Sequence, residues 1–210
     1  EYFKYINMFS VIKGTDKDDL FEVERFKNGS TEVRAYRIKG GKKGELFHQK
    51  KYSKELTKEI WIYGLDDDDE FHVFGEKSNA IKVRIIGGQN NDTYNITNGN
   101  KLTIYDYKSK KNTFKTNKGI RKLTDKYNIN VYDYKKLKYN TTEMFPTVGM
   151  NPDDGINIGL ATTFTNFGFE RNPFTSQHTI AGSYYFATNG VDIDRKSTRL
   201  NSSHQIISYA

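Results

Sequence analysis

The chain has no cysteine, which removes disulfide scaffolds, thiolate metal sites and cysteine nucleophiles together. Its three prolines, set against many β-forming aromatics, argue against a disordered or collagen-like polymer. No run approaches the roughly 18 consecutive apolar residues that a membrane-crossing helix needs, so an α-helical membrane protein is excluded. Histidine is scarce: His48, His72, His178 and His204 are the whole supply. No phosphate-cradling loop, nucleophile elbow or metalloprotease motif accompanies them. No catalytic residue and no cofactor-binding residue is therefore assigned.

What is abundant is aromatic and charged. The 210 residues include 15 Tyr, 14 Phe and 1 Trp, with a formal net charge of +7. That length suits one large domain or two small ones with a real core. Between Lys101 and Asn140 there are twelve Lys/Arg against three Asp, interleaved with Tyr105, Tyr107, Phe114, Tyr127, Tyr132, Tyr134 and Tyr139. Such a stretch is read as the wet face of half-buried strands, as a basic collar beside anionic headgroups, or as a single-strand nucleic-acid surface. A nucleic-acid partner is not expected.

A local pattern recurs in the first half: a strand-like run ending in Gly, a polar turn, then a short strand centred on an aromatic. The turns begin at Gly14, Gly40, Gly64 and Gly87, and the aromatics are Phe21, Phe47, Phe71 and Tyr94, spaced 26, 24 and 23 residues apart, with a fainter fifth centre at Phe114. Period-two alternation, as in Ile81, Val83 and Ile85, points to strands. Stacked units of this length predict either a β-solenoid or a series of hairpins in a sheet or sandwich. His48 and His72 each follow the aromatic of adjacent copies, so stacking could join them as a two-His site. The alternative is packed or solvated strand histidines.

Gly87-Gly-Gln-Asn-Asn-Asp-Thr-Tyr-Asn95 resembles the nonapeptide of calcium-binding β-rolls, with Asn90 in place of the third glycine. Calcium takes six to eight hard oxygens, and Asp66, Asp68 and Asp92 are the donors expected, with Asp16 and Asp18 in the first copy. The other reading is an Asp/Asn-rich turn exposed to water. No cofactor beyond calcium is considered.

The ends are read separately. Glu1 opens without an initiator Met, inside an apparent strand at Tyr2-Phe3-Lys4-Tyr5, as expected of an internal piece. Asp194-Arg-Lys-Ser-Thr-Arg-Leu-Asn-Ser-Ser-His204 reads codon for codon as a translated sequencing-library adapter, and the match runs on through Ala210. Residues 194–210 are accordingly expected to be a non-native tail and are set aside from fold reasoning.

From Phe145 the character changes. Residues 145–155 read as a turn-rich approach. Residues 156–165 then alternate, with Ile156, Ile158, Leu160, Thr162 and Phe164 on one face and the small or polar Asn157, Gly159, Ala161, Thr163 and Thr165 on the other. A second run covers 178–187. Each is about ten residues long, enough for a tilted strand to cross a bilayer, although a soluble sandwich strand shares the pattern.

The strings Pro146-x-x-Gly149-x-x-Pro152-Asp-Asp-Gly155-x-x-x-Gly159, Gly168-Phe-Glu-Arg-x-Pro-Phe174 and Tyr184-x-Phe186 resemble the first hairpin of a bacterial outer-membrane barrel of the surface-antigen, or assembly-factor, superfamily. The resemblance narrows to proteins in which a calcineurin-like metallophosphoesterase precedes the barrel. It does so through Thr57-Lys-Glu-Ile-Trp-Ile-Tyr-Gly64-Leu-x-Asp-Asp, Ile81-Lys-Val-Arg-Ile-Ile-Gly-Gly88-x-x-Asn-Asp92 and Ile104-Tyr-Asp-Tyr107. The phosphoesterase ligand motifs are absent from this chain, so nothing catalytic carries over.

Repeat and resemblance together give an all-β expectation: a repeat-containing β-sheet or solenoid-like domain, followed, as the resemblance implies, by the first hairpin of a truncated barrel. Residues 1–143 would be a periplasmic β-rich domain, incomplete at its N-terminus, and 144–193 the start of the barrel, with the hairpin proper from residue 150. The resemblance further implies the outer membrane of a Gram-negative bacterium as location. The partners would be membrane lipid and the remaining barrel strands. The rival expectation is a soluble, calcium-stabilised β-solenoid that acts as a binding module.

Overall fold

The computed structural model describes residues 1–77 and 80–200. It is nearly all β, with 57% strand and 5% helix. The chain forms two compact units, Glu1–Asp133 and Tyr134–Ala210.

Unit 1 opens with a short helix, α1 (Tyr2–Asn7), where the sequence suggested a strand. The amide of Tyr5 bonds back to the carbonyl of Glu1 there. Eleven strands follow: β1 (Phe9–Lys13), β2 (Asp19–Arg25), β3 (Thr31–Lys39), β4 (Lys42–Tyr52), β5 (Glu59–Leu65), β6 (Glu70–Gly75), β7 (Lys82–Gly88), β8 (Thr93–Ile96), β9 (Leu102–Asp106), β10 (Thr113–Asn117) and β11 (Ile120–Leu123). A four-residue helix, α2 (Tyr127–Asn130), closes the unit.

The chain passes alternately between two sheets. One has the order β1-β5-β7-β9-β11 and the other β10-β8-β6-β2-β3-β4. All pairs in the first sheet are parallel, as are β10-β8, β8-β6 and β6-β2 in the second. Alternate side chains from both sheets (Ile60, Ile62, Val83 and Ile85 facing Phe21, Val23, Phe71 and Val73) build one core. Because parallel strands lie about 4.8 Å apart, equal registers stack equal side chains. Phe21 pairs with Phe71, Phe71 with Tyr94 and Tyr94 with Phe114. Their rings stack with centroids 5.1, 5.2 and 4.9 Å apart and planes within 12° of parallel.

Phe47 does not belong to that row. It lies on β4, which pairs antiparallel with β3, and its side chain is exposed. Residues 31–52 are a hairpin inserted between the first turn and the second. Gly40 and Gly41 form its two-residue loop at φ +58° and +70°, the left-handed pair that a tight hairpin turn demands.

On the outer face of the second sheet, Arg34 bridges Glu22, Glu24 and Glu32 at 3.3, 2.9 and 2.8 Å, and Lys43 adds a contact to Glu22 at 2.7 Å. Burial pushes the Glu22 carboxyl up, but Lys43 and Arg34 outweigh it and hold the group below its ordinary range. We expect Arg34→Ala to lower unit 1 stability by about 1 kcal/mol in urea melts. The difference should shrink in molar salt, where exposed charge pairs are screened.

Unit 2 is one antiparallel sheet of four strands in chain order: β12 (Thr141–Asn151), β13 (Gly155–Asn166), β14 (Ser176–Tyr185) and β15 (Gly190–Arg199). The expected turn-rich approach at 145–155 is therefore mostly strand, and only residues 152–154 turn. Pro146 is tolerated because β12 is an edge strand whose outer side needs no ladder donor. The adapter-like run begins inside β15, so residues 194–199 pair with β14. Its last ten residues, 201–210, lie outside the described residues.

Candidate functional site

Two features of the chain go beyond ordinary packing: a row of buried acids at one end of the unit 1 stack, and an uncovered apolar sheet face in unit 2.

The acid row follows from the repeat. Gly14, Gly64, Gly87 and Asp106 are equivalent, each following a registered residue of the parallel sheet. Five residues on from each glycine stand Asp19, Asp69 and Asp92. Asn112 takes the corresponding place in the fourth turn, one residue longer. The amide of Asp19 donates to Asp69 Oδ1 (2.8 Å), that of Asp69 to Asp92 Oδ1 (2.9 Å) and that of Asp92 to Asn112 Oδ1 (2.8 Å). One residue outward a second row runs the opposite way. Asp68 N donates to Asp18 Oδ1 (3.2 Å), Asn91 N to Asp68 Oδ1 (3.0 Å) and Lys111 N to Asn91 Oδ1 (2.9 Å). Side-chain acceptors thus satisfy turn amides that no strand pairs.

The inner row is dry. Asp19, Asp69, Asp92 and Asp106 are all at most 1% exposed. Arg37 reaches Asp19 Oδ1 at 3.1 Å, and Thr15 donates to Asp19 Oδ2 through its amide (2.6 Å) and hydroxyl (2.9 Å). Asp106 accepts from the Tyr94 hydroxyl and the Tyr107 amide, both at 2.6 Å. Asp69 Oδ2 and Asp92 Oδ2 are buried and receive no hydrogen bond among the described residues. Burial, then the neighbouring Asp92, pushes the Asp69 carboxyl up to about 10. Burial also raises the adjoining Asp92 and Asp106 pair.

The calcium donors expected from sequence divide between the two rows. Asp68 is exposed in the outer row, Asp66 accepts from the Asp67 amide (3.0 Å) and from Asn90 Nδ2 (3.2 Å), and Asp92 is buried in the inner row. Asp16 and Asp18 are exposed in the first turn. Among the described residues no group of three or more His, Asp or Glu side chains is arranged to hold a metal. Asn90 does take the left-handed conformation, φ +70°, that its place in the nonapeptide calls for.

His48 and His72 are not brought together. His48 pairs with Ala35 and His72 with Glu22, with two strands between them and on alternate rungs, so they face opposite sides of the sheet. His72 instead meets Glu70 at 3.2 Å. In the basic stretch, Tyr105 is buried, Phe114 joins the stacked row with Arg121 over its ring at 4.8 Å, and Tyr132 packs on Tyr63. Three of the seven aromatics are thereby committed to packing.

One face of the unit 2 sheet is mostly apolar and the other mostly small or polar. Paired positions put Met144, Pro146, Val148 and Met150 beside Thr162, Leu160, Ile158 and Ile156, and these beside Ile180, Gly182 and Tyr184. Val191 and Ile193 continue the same face. Most of these side chains are exposed, Val148 and Met150 at 80% and Leu160 at 50%. The opposite face carries Thr147, Gly149, Asn157, Gly159, Ala161, Thr163, Thr179, Ala181 and Ser183, with Phe145 beside Ala161 and Tyr185 beside Asn157 as its large members. Thr163 and Thr179 are hydrogen-bonded there at 3.0 Å. On β15 the apolar row stops at Ile193, and Arg195, opposite Ile180, takes the next place.

Of the buried acids the nonapeptide resemblance points to Asp92 alone, and not to Asp69, Asp19 or Asp106. The signal was available: Asp19, Asp69 and Asp92 all stand two residues before a stacked aromatic. Compared with protein-family models, curated proteins and solved structures, the chain has no match.

Proposed function

We propose that unit 2 is a segment of the wall of an outer-membrane β-barrel, that unit 1 is a periplasmic β-solenoid preceding it, and that the chain is a non-catalytic piece of such a protein. The phosphoesterase–barrel fusion it resembles in sequence is the proposed parent. The observation that carries the reading is the uncovered apolar face that continues across β12–β15 as far as Ile193. Soluble monomers rarely expose apolar patches of more than a few hundred Å², whereas lipid-facing barrel strands alternate apolar outward and small or polar inward. The strands β12 to β14, of 10 to 12 residues at about 3.3 Å per residue and tilted by about 45°, match an apolar band of about 25 Å.

The break in the pattern at Arg195 supports reading residues 194 onward as foreign: a guanidinium in that row would enter hydrocarbon. Among the described residues the outer edges of β12 and β15 have no partner strand. Lipid cannot satisfy edge backbone groups, so the remaining barrel strands are the partners this reading requires.

The test is partition of the whole chain. Diluted from detergent, it should float with phospholipid vesicles and associate into large species in plain buffer. A monomeric, cooperatively folded chain in detergent-free buffer would overturn the reading. It would favour the second one, a water-soluble β-solenoid binding module, which the stacked parallel turns of unit 1 also suit.

A further inference from the structure

We propose that the inner acid row of unit 1 is a proton-held clasp: Asp69, and the Asp92–Asp106 pair between them, carry protons in the folded chain, and losing those protons loosens the turns at 64–70 and 87–93. The inference concerns unit 1 alone and does not depend on whether unit 2 meets lipid.

Geometry carries it. Asp92 Oδ2 is buried and, among the described residues, receives no hydrogen bond; it and Asp106 Oδ2 close on the same point beside Gly87, Asp106 Oδ2 at 2.7 Å from it. Two carboxylate oxygens approach in a dry site only with a proton between them. Asp69 Oδ2 is likewise buried and undonated, with the carboxyls of Asp19, Asp92 and Asp18 around it. The charged and titratable groups facing the row are Asp18, Asp19 and Arg37 from the first turn and its hairpin, Asp68 from the second, and Tyr94 and Asp106 from the strands beyond. Arg37, the cation among them, is engaged at Asp19.

A metal ion could neutralise such a row instead, but glycine backbone fills the points beside Gly87 and Gly64 on which the free oxygens converge. The point that Asp92 Oδ2, Tyr94 Oη and Asp106 Oδ2 (2.7 Å) surround is where a Cβ on Gly87 would sit, one bond from that glycine's Cα. A Cβ on Gly64 would likewise collide with Asp69 Oδ2 and the Gly87 carbonyl. The oxygens press on glycine backbone.

The sign follows from linkage. Each of these carboxyls binds its proton more tightly folded than unfolded. Their contribution is complete below the ordinary carboxyl value near 4 and is lost as pH rises, for Asp69 through about 10. Glu22 and Glu59, both held below their ordinary values, act in the opposite sense and cost stability only in acid.

The test is thermal unfolding of the full chain in non-ionic detergent from pH 5 to 9, followed by Trp61, the single tryptophan, which lies on β5 in unit 1. The melting temperature should fall by several degrees per pH unit. Asp69→Asn should flatten that fall and melt higher at pH 8; Asn112 already fills the same place in the fourth turn. Infrared spectra of the unsubstituted chain at pH 7 should contain a protonated-carboxyl band, reduced in Asp69→Asn and Asp92→Asn. Absence of that band, even if a variant fails to fold, overturns the proposal. So does a melting temperature at pH 8 raised by millimolar calcium and left unchanged by Asp69→Asn.

Discussion

Gly64→Ala is expected to unfold unit 1. The added methyl would lie against Asp69 Oδ2 and the carbonyl oxygen of Gly87 at distances real Cβ atoms do not reach. The first is the inner acid row and the second is the backbone of the neighbouring parallel strand, so relief requires separating β5 from β7. Overpacking of this kind costs about 3 kcal/mol or more, a large part of the stability of a domain this size. Gly40→Ala is the comparison. Nothing lies within 4 Å of its Cβ position, and only its φ of +58° opposes the change, worth about 1 kcal/mol. Urea unfolding followed by Trp61 fluorescence should show no folded baseline for the first variant and a small midpoint shift for the second. Equal midpoints would mean the turns have slack that the structure lacks.

The other large effect belongs to unit 2. Leu160 stands at the middle of β13 on the apolar face, and Ala161 is its neighbour on the polar face. A positive charge on a lipid-facing strand at the bilayer midplane costs about 2–4 kcal/mol. Leu160→Arg should therefore weaken vesicle partition by roughly thirtyfold or more. Ala161→Arg should change it far less, because that side chain points away from the apolar row. If both variants bind vesicles alike, the face carries no lipid contact.

How much of this was readable beforehand differs by element. The strands β5 to β8 were visible as alternation, and the aromatic row as a spacing, because parallel in-register stacking converts equal spacing into contact. Phe47 misled because its spacing fits the row by coincidence. The turn before it, Gly40-Gly-Lys-Lys, lacks the Asp pair that precedes Phe21 and Phe71, and two adjacent glycines are a hairpin signal. Helix α1 was hidden because Tyr2-Phe3-Lys4-Tyr5 is too short to separate period two from period 3.6. Strand β12 was obscured by Pro146 and Gly149, which break a central strand but sit comfortably at an edge.

The acids illustrate a deeper limit. Asp66 to Asp69 are four identical letters, yet Asp68 is exposed in the outer row and Asp69 is buried in the inner one. Only the register of the coil distinguishes them. Spacing points to Asp66, Asp68 and Asp92 as metal ligands, whereas their oxygens accept hydrogen bonds: Asp68 and Asp92 from backbone amides of neighbouring turns, Asp66 from the Asp67 amide and the Asn90 side chain. Asp106 lacked any sequence signal of its own, because it occupies a glycine position of the repeat and its partner Asn112 an aspartate position. Proton sharing with Asp92 depends on that exchange.

The most direct measurement is lipid contact along β13. In a Trp61→Phe background, one tryptophan is placed at Ile158 or Leu160 and, separately, at Ala161 or Thr163. Each chain is mixed with vesicles whose acyl chains are brominated. The account predicts strong quenching and blue-shifted emission at Ile158 and Leu160, with little of either at Ala161 and Thr163. Equal quenching on both faces, or none on either, would contradict it.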